Sequence, residues 1–187
     1  HYTDPYQLLV AVILSAQCTD KRVNMTTPAL FEAFPTPFDM AAATAEDIYP
    51  YIKSISYPNN KARNLAGMAR MLCEEFGGEV PSDLQQMQRL PGVGRKTANL
   101  LLGDIYKRPG SVVCDTHCIR ITSRLGLTDG SKDPLKVEQQ LRKVIPPEEA
   151  NNFCHRMVLH GRALCMARKP DCGDCSLRPL CDHGSGK

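Results

Sequence analysis

One lysine near the middle of the chain is a candidate nucleophile or phosphate ligand. Lys96 belongs to the segment 90–98, which reads LPGVGRKTA. Gly92 and Gly94 come just before a predicted helix, and they allow a tight turn that exposes main-chain N–H groups at the helix N-terminus. These donors and the helix dipole both favour an anion. The segment alone predicts a phosphate-binding turn, in which Lys96 is either a nucleophile or one more phosphate contact.

An acidic residue follows in the next motif, VCDTH at residues 113–117. A lysine becomes a nucleophile only after it loses its proton, which desolvation at a helix N-terminus promotes. A carboxylate such as Asp115 can accept that proton, orient a water or stabilise a developing positive charge. The alternative is that Asp115 is an ordinary helix N-cap, and one residue can serve both purposes.

Four of the nine cysteines crowd into the last quarter of the chain. Their spacing is Cys-x6-Cys-x2-Cys-x5-Cys, and they are Cys165, Cys172, Cys175 and Cys181. Because no secretory signal is visible, a metal site is favoured over disulfides. Four thiolates in one loop can hold zinc or a [4Fe–4S] cluster, and the spacing alone leaves both open. The remaining cysteines are expected to be buried as small apolar residues: Cys18, Cys73, Cys114, Cys118 and Cys154.

These residues lie at the ends of predicted helices. Capping residues, first-turn prolines and apolar residues at helical spacing predict helices nearly throughout the chain. Asp4 is a predicted N-cap, Thr44 with Asp47 and Ser82 with Gln85 are predicted capping boxes, and residues 35–37 are a predicted turn. They are expected at 6–16, from 19 or 20 to before 35, at 44–53, through 65–76, at 82–89, at 94–106, from 115, from 133 to before 146, and at 147–162. Residues 111–114 look strand-like but are too short to form a sheet. The predicted fold class is all-α.

The segment 90–98, followed by the VCDTH motif, resembles the endonuclease III family of helix-hairpin-helix glycosylases. The resemblance extends from Gln17, in the sequence LSAQ, to the cysteine loop. It implies a bifunctional DNA glycosylase/AP lyase of base excision repair, which excises oxidised pyrimidines from duplex DNA. It also implies that Lys96 attacks the sugar C1′, that Asp115 is the essential acid, and that a lysine Schiff base leads to strand nicking by β-elimination. The cysteine spacing of this family implies a [4Fe–4S] cluster.

The same resemblance implies a DNA-binding surface. The hairpin residues expected to grip the DNA backbone are Gly92, Gly94, Arg95 and Thr97. Arg168 and Lys169 are expected to meet phosphates, the alternative being a solvated charged loop. Gln17 is expected to fill the gap left by an everted nucleotide, or else to be a polar cap of the first helix.

A second filler usually comes from a Gly-apolar-Tyr-x-x-Lys-Ala loop, and here the match departs. Residues 56–62 read SYPNNKA, so that serine replaces glycine and Tyr57 replaces an aliphatic wedge. Tyr57 is expected either to stack on bases or to pack internally. The departure affects lesion preference and opposite-base recognition rather than the chemistry.

We expect two helical lobes with a DNA-binding cleft between them. Residues 1–109 would form a helical barrel with the helix-hairpin-helix, and residues 110–187 the iron–sulfur lobe. Three alternatives are a mismatch-specific uracil or thymine glycosylase, a non-catalytic helix-hairpin-helix DNA-binding module and a zinc-dependent binding protein. His117 and His160 are expected to be hydrogen-bonded helix residues rather than catalytic bases.

Composition bounds these interpretations. The chain has 187 residues, 42% hydrophobic and 23% charged, with a net charge of +3, which permits nucleic-acid binding without requiring it. No apolar run approaches the ~20 residues of a membrane span. We expect a monomer in a prokaryotic cytoplasm, associated with the nucleoid. Since the first residue is not methionine, we also expect an N-terminal segment to precede it.

Overall fold

The computed structural model describes residues 2–186 and contains only helices and loops across that range. The α-helices, in chain order, are α1 (Pro5–Ser15), α2 (Asp20–Ala33), α3 (Pro37–Ala42), α4 (Ala45–Ile52), α5 (Pro58–Phe76), α6 (Leu84–Arg89), α7 (Arg95–Asp104), α8 (Thr116–Arg124), α9 (Pro134–Val144), α10 (Ala150–Ala163) and α11 (Asp182–Ser185). Single 3-10 turns occupy Pro147–Glu149 and Arg178–Leu180. The prediction of an all-α chain is confirmed. None of these helices combines the length and apolar composition needed to cross a bilayer.

Several helix starts follow the capping residues that the sequence indicates. Asp4 accepts a hydrogen bond from the Gln7 N–H at 2.8 Å, and a proline opens α1 behind it. Thr44 and Asp47 form the predicted reciprocal capping box of α4. These side chains satisfy N–H groups that the first helical turn leaves without partners.

Three details of the prediction were wrong. The cap of α6 is Asp83, which accepts from two first-turn N–H groups, and not Ser82. No helix was predicted between the turn at 35–37 and residue 44, but α3 follows that turn directly, because Thr36 and Asp39 form a second capping box. The helix expected from Pro147 begins at Ala150, after a 3-10 turn.

The chain folds into two compact units, residues 1–101 and 102–187. The expected boundary after residue 109 lies in the loop that follows α7. The first unit has a large core, and the largest fully buried side chains of the described chain all belong to it: Leu9, Leu14, Leu30, Met40, Ile48, Ile52, Leu65, Met68, Leu72, Met87, Leu90 and Leu101. Within this unit α5 packs against α1, α3 and α4.

The second unit has a smaller core, supplied mainly by α8, α9 and α10. Its buried members are Val112, Cys114, Cys118, Ile121, Val137, Leu141, Ala150, Cys154 and Met157. At the start of this unit, Asp104 Oδ1 accepts from Asn151 Nδ2 at 2.9 Å and lies 2.8 Å from His155 Nε2. These contacts attach the last residue of α7 to α10.

Candidate active site and metal loop

The hairpin between α6 and α7 turns through a glycine with a positive φ. Gly92 has a φ of 84°. A Cβ at this position would lie 3.2 Å from atoms of Ile13 in α1 and of Asn64 in α5. Both the backbone conformation and the close packing therefore favour glycine. A Cβ at Gly94 would meet nothing within 4 Å, so the main chain is open to an approaching ligand there.

Lys96 lies at the start of α7, in a segment that buried apolar side chains anchor. The buried residues of the segment are Leu90, Val93 and Ala98. The Lys96 side chain itself is exposed. The helix begins as the Ala98 N–H donates to the Gly94 carbonyl at 2.9 Å, and first-turn N–H groups have no acceptor within a helix. An amine and a set of main-chain donors therefore share one end of α7, which can bind an anion and present a nucleophile beside it.

Asp115 is the N-cap of α8 in the second unit. Its Oδ1 accepts a hydrogen bond from the Cys118 N–H at 2.7 Å, and its carbonyl accepts from the Ile119 N–H at 2.9 Å. The cap fixes the orientation of the carboxylate, and the helix dipole favours an anion at this end. Lys96 and Asp115 belong to different units.

Three buried cysteines form a thiol cluster next to Asp115. The Cys118 thiol is hydrogen-bonded to those of Cys114 and Cys154, and Cys154 Sγ accepts from the Val113 N–H at 3.2 Å. Hydrogen bonding to Cys114 and Cys154, together with burial, raises the pKa of Cys118 far above its ordinary value. The prediction that these three are buried is confirmed. Two other cysteines, expected to be buried, are half-buried: Cys18 and Cys73.

The four cysteines of the last quarter line one small cavity in the second unit. All four are free thiols. Apolar side chains complete the wall: Ile121, Leu125, Leu164 and Leu177. Among residues 2–186, no three His, Cys, Asp or Glu side chains are grouped so that they could hold a single metal ion. Four thiols arranged around a shared cavity are the donor set that a cubane iron–sulfur cluster requires, so the residues fit this group.

Arg124 of α8 joins this loop to the helical core of the second unit. Its guanidinium donates to Cys165 Sγ at 3.2 Å and to the carbonyl oxygens of Met166 and Ala167 at 2.8 and 2.9 Å. Its main-chain carbonyl accepts from the Cys181 thiol at 3.1 Å. These contacts attach both the first and the last cysteine of the loop to α8.

The basic residues of the loop and the histidines of the second unit are placed as follows. Arg168 and Lys169 are exposed in a segment, residues 164–186, in which no residue is buried. His117 Nδ1 lies 3.1 Å from Arg120 Nη2, and His160 Nε2 lies 3.7 Å from a loop cysteine. Both histidines are hydrogen-bonded residues of helices, in agreement with the prediction.

Gln17 and Tyr57 share an unusual backbone conformation in the first unit. Their φ angles are 54° and 56°, and the left-handed region costs roughly 1–2 kcal/mol for a residue with a Cβ. Both side chains are exposed, Tyr57 at 62%. The alternative that Tyr57 packs internally is therefore wrong. The Ser56 hydroxyl donates to the Gln17 carbonyl at 2.8 Å, so the structure brings the two predicted gap-filling residues together.

The prediction missed Lys61, which is 5% exposed in the first turn of α5. Its ammonium donates to the carbonyl oxygens of Leu14 and Ala16, at 2.8 and 2.6 Å. Burial lowers the pKa of Lys61, and the Cys18 thiol partly opposes this. The available signal was a lysine four residues before Leu65, on the apolar face of a helix.

Comparison with known proteins agrees with this geometry. The pattern of the HhH-GPD superfamily base excision DNA repair proteins matches residues 10–147. Endonuclease III of Synechocystis is 47% identical over 180 residues, covering 96% of this chain and 82% of that protein. Endonuclease III of Escherichia coli K12 is 42% identical over 183 residues, with coverage of 98% and 86%.

Solved structures give the same assignment. A trapped endonuclease III–DNA covalent intermediate superposes with a TM-score of 0.91 at 42% identity, covering all of this chain and 87% of that one. A thermostable thymine-DNA glycosylase shares the fold, with a TM-score of 0.90 at 23% identity and coverage of 100% and 87%. By sequence and by fold, this chain belongs to the endonuclease III family of HhH-GPD base excision repair enzymes, the DNA glycosylase/AP lyases.

Proposed function

We propose that this enzyme removes oxidised pyrimidines from duplex DNA and then cuts the strand at the resulting abasic site, with Lys96 as nucleophile and Asp115 as the essential acid. The observation that carries the assignment is the exposed amine of Lys96 at the start of α7, directly after the Gly92 turn. A relative 42% identical to this chain has been captured as a covalent complex with DNA, which is the kind of intermediate that such an amine forms.

The reaction needs an amine without its proton. Lys96 Nζ attacks C1′, the bond from C1′ to the base breaks, and the base leaves with a proton. The sugar ring then opens to a Schiff base on Nζ. Loss of a C2′ proton and cleavage of the C3′–O bond complete β-elimination, which leaves the nick 3′ to the lesion. Asp115 would accept the Lys96 proton or stabilise the positive charge that develops on the sugar.

The capped state of Asp115 suits this role. A hydrogen bond from the Cys118 N–H to Oδ1 holds the carboxylate in one orientation before substrate arrives. Such preorganisation reduces the cost of aligning the group in the transition state.

The DNA backbone would be held by two sets of donors. In the first unit they are the main chain at Gly92 and Gly94 and the side chains of Arg95 and Thr97. In the second unit Arg168 and Lys169 would contact phosphates from the exposed loop. Such contacts position the duplex without reading its sequence.

Gln17 and Tyr57 would fill the space that the everted nucleotide leaves. An amide can hydrogen-bond to an unpaired base, and an aromatic ring can stack on one. The 62% exposure of Tyr57 leaves its ring accessible to a base.

We also propose that the four loop cysteines, Cys165, Cys172, Cys175 and Cys181, hold a [4Fe–4S] cluster. The cluster would supply structure to the loop rather than a step of the reaction. Visible absorbance and about four irons per chain are expected for the purified protein. A colourless protein with one bound zinc would contradict the assignment. We further propose a monomer that acts in the cytoplasm of a prokaryote, at the nucleoid.

Borohydride trapping on a duplex with one abasic site tests the catalytic assignment. The wild-type enzyme should form a covalent product, and Lys96→Ala should form none, because no Schiff base is available for reduction. Lys143→Ala, which removes an exposed lysine from the last turn of α9, is the matched control and should trap normally. Undiminished trapping by Lys96→Ala would refute the proposal.

Asp115→Asn separates the acid from the cap, since asparagine is also a good N-cap. Excision should fall by about 10²–10⁴-fold while the thermal stability changes little. A panel of duplexes with oxidised pyrimidines, G·U and G·T pairs then distinguishes the proposed substrates from those of a mismatch-specific glycosylase. Faster excision from the mismatches would overturn the substrate assignment alone.

A further inference from the structure

Side chains with no role in the proposed reaction join two loops of the first unit by hydrogen bonds. The first loop, residues 16–19, joins α1 to α2 and carries Gln17. The second, residues 53–57, joins α4 to α5 and carries Tyr57. Both exposed residues have positive φ values, which residues other than glycine rarely adopt unless surrounding contacts hold them there.

The fastening has a buried part and a surface part. Lys61 is nearly inaccessible to solvent, and its ammonium donates to two carbonyl oxygens at the end of α1, those of Leu14 and Ala16. The main-chain N–H of the same lysine donates to the Tyr57 carbonyl at 3.1 Å. Lys61 thereby contacts the backbone just before Gln17 and the backbone of Tyr57.

At the surface, Ser56 makes the direct link. Its hydroxyl donates to the Gln17 carbonyl at 2.8 Å. This hydrogen bond joins the residue that precedes Tyr57 to Gln17 itself. Neighbouring Ser54 ties the same loop to α2, because its carbonyl accepts from Arg22 Nη1 at 3.2 Å and its hydroxyl lies 3.3 Å from Thr26 Oγ1.

The hairpin rests on the same two helices. Gly92 packs closely against Ile13 of α1 and Asn64 of α5, and Pro91 lies against Gly67 of α5. The loops that carry Gln17 and Tyr57 and the turn that precedes Lys96 therefore all adjoin the same pair of helices, α1 and α5.

We propose that Ser56 and Lys61 are positioning residues, which form a latch that holds Gln17 and Tyr57 ready to enter the duplex together. This inference rests on the proposed gap-filling role of Gln17 and Tyr57. The latch lowers the entropic cost of inserting Gln17 and Tyr57 into the duplex, because their strained backbone conformation is already fixed in the free enzyme. Serine, rather than glycine, at position 56 supplies the hydroxyl on which the surface link depends.

The readout is the base opposite the lesion. A duplex with a tetrahydrofuran abasic analogue opposite 2-aminopurine reports unstacking as a rise in fluorescence, and no covalent chemistry is possible on it. The wild-type enzyme should give the full rise, and Tyr57→Ala should give little. Ser56→Ala should lower the apparent affinity of this response by about fivefold, the effect of one lost hydrogen bond. Ser15→Ala is the matched control, because its hydroxyl donates within α1 to the Val12 carbonyl, and it should behave as wild type.

A kinetic comparison and a double mutant complete the test. Ser56→Ala should slow excision from duplex DNA by about the same factor, but not cleavage of an abasic site in single-stranded DNA, where no partner base is displaced. In a Gln17→Ala background, Ser56→Ala should have a smaller effect, since the link to the Gln17 carbonyl then orients Tyr57 alone. Lys61→Met should reproduce the Ser56→Ala defect more strongly, and its melting temperature reports whether it folds.

A Ser56→Ala enzyme with wild-type fluorescence response and wild-type excision would overturn the latch. So would a defect of equal size in the presence and absence of the Gln17 side chain. Lys96→Ala should retain the fluorescence response. A failure of the catalytic proposal would therefore appear in the trapping assay and a failure of the latch in the fluorescence assay.

Discussion

The two units place their functional residues by different physical means. In the first unit, buried apolar side chains hold the helices, and the hairpin and the loops that carry Gln17 and Tyr57 rest on that core. In the second unit, residues 164–186 include no buried residue, although this segment carries the four cysteines. It packs partly buried side chains such as Cys165 against the core, and hydrogen bonds and sulfur contacts join it to Arg124.

The difference indicates what each region needs in order to fold. Burial of one large apolar side chain contributes about 1.5–3 kcal/mol, and the first unit has many such residues. A segment of more than twenty residues without any cannot offset its conformational entropy in this way. Ligation of a metal centre supplies the missing free energy in small protein modules. We therefore expect the order of the loop, but not that of the first unit, to depend on the proposed cluster.

Cysteine replacement should have the largest effect and tests this dependence directly. Cys175→Ser should lose most of the bound iron, and residues 164–186 should become sensitive to protease while the first unit stays resistant. Mass spectrometry of the fragments locates the cuts, and iron analysis measures the loss. Cys73→Ser, which changes a half-buried cysteine of α5, should keep its iron. A protease-resistant loop in an iron-free variant would contradict the expectation that the order of the loop depends on the cluster.

A pair of leucines tests the other side of the comparison. Leu65 is fully buried in α5, and Leu180 is 77% exposed in the loop. Leu65→Ala should lower the free energy of unfolding by about 2–5 kcal/mol, since it removes buried methyl groups and leaves a cavity. Leu180→Ala should change it by less than about 0.5 kcal/mol. Chemical denaturation of both variants measures the difference, and equal effects would contradict the assignment of the core.

Arg124 should have an intermediate effect, which is confined to the second unit. Arg124→Gln removes the charged donor beside Cys165 and weakens three hydrogen bonds to the loop. Bonds from a charged group contribute about 1.5–3 kcal/mol, so the variant should lose its cluster to a chelator about tenfold faster or more. The decay of visible absorbance gives the rate. Arg156→Gln, with a long surface ion pair, is the control and should match wild type.

The smallest expected effect concerns acid stability of the first unit. Hydrogen bonds from the backbone and hydroxyl of Thr44 lower the pKa of Asp47 below 3.8. Its capping box therefore stabilises the folded state fully above pH 3.8, and this contribution is lost as the pH falls through the lowered value. Asp47→Asn should lower the melting temperature slightly at pH 6 and hardly at all near pH 2. Glu46→Gln, at the adjacent position, is the control, and an equal loss at both pH values would argue against the linkage.

Much of the fold could be predicted because its signals are local. Asp4 and Pro5 start α1, Thr44 and Asp47 start α4, and Gly77 ends α5, each through contacts within a few residues. The α6 cap was misassigned because Ser82 and Asp83 are adjacent and both can cap a helix. The helix α3 was missed because a proline-rich segment resembles a turn as much as a helix start.

The sequence by itself determined which reactive groups are available: an amine after a glycine turn, a carboxylate at a helix start and four thiols with one spacing. Side-chain type and local geometry identify these groups, because each depends on neighbours in the chain, while their expected roles follow from the family resemblance. Only the tertiary structure decided that Tyr57 is exposed, that Lys61 is buried on the carbonyls of α1, and that Ser56 reaches Gln17 across 39 positions of the chain. Such contacts depend on which helices pack together, a collective result of core burial that no short motif encodes.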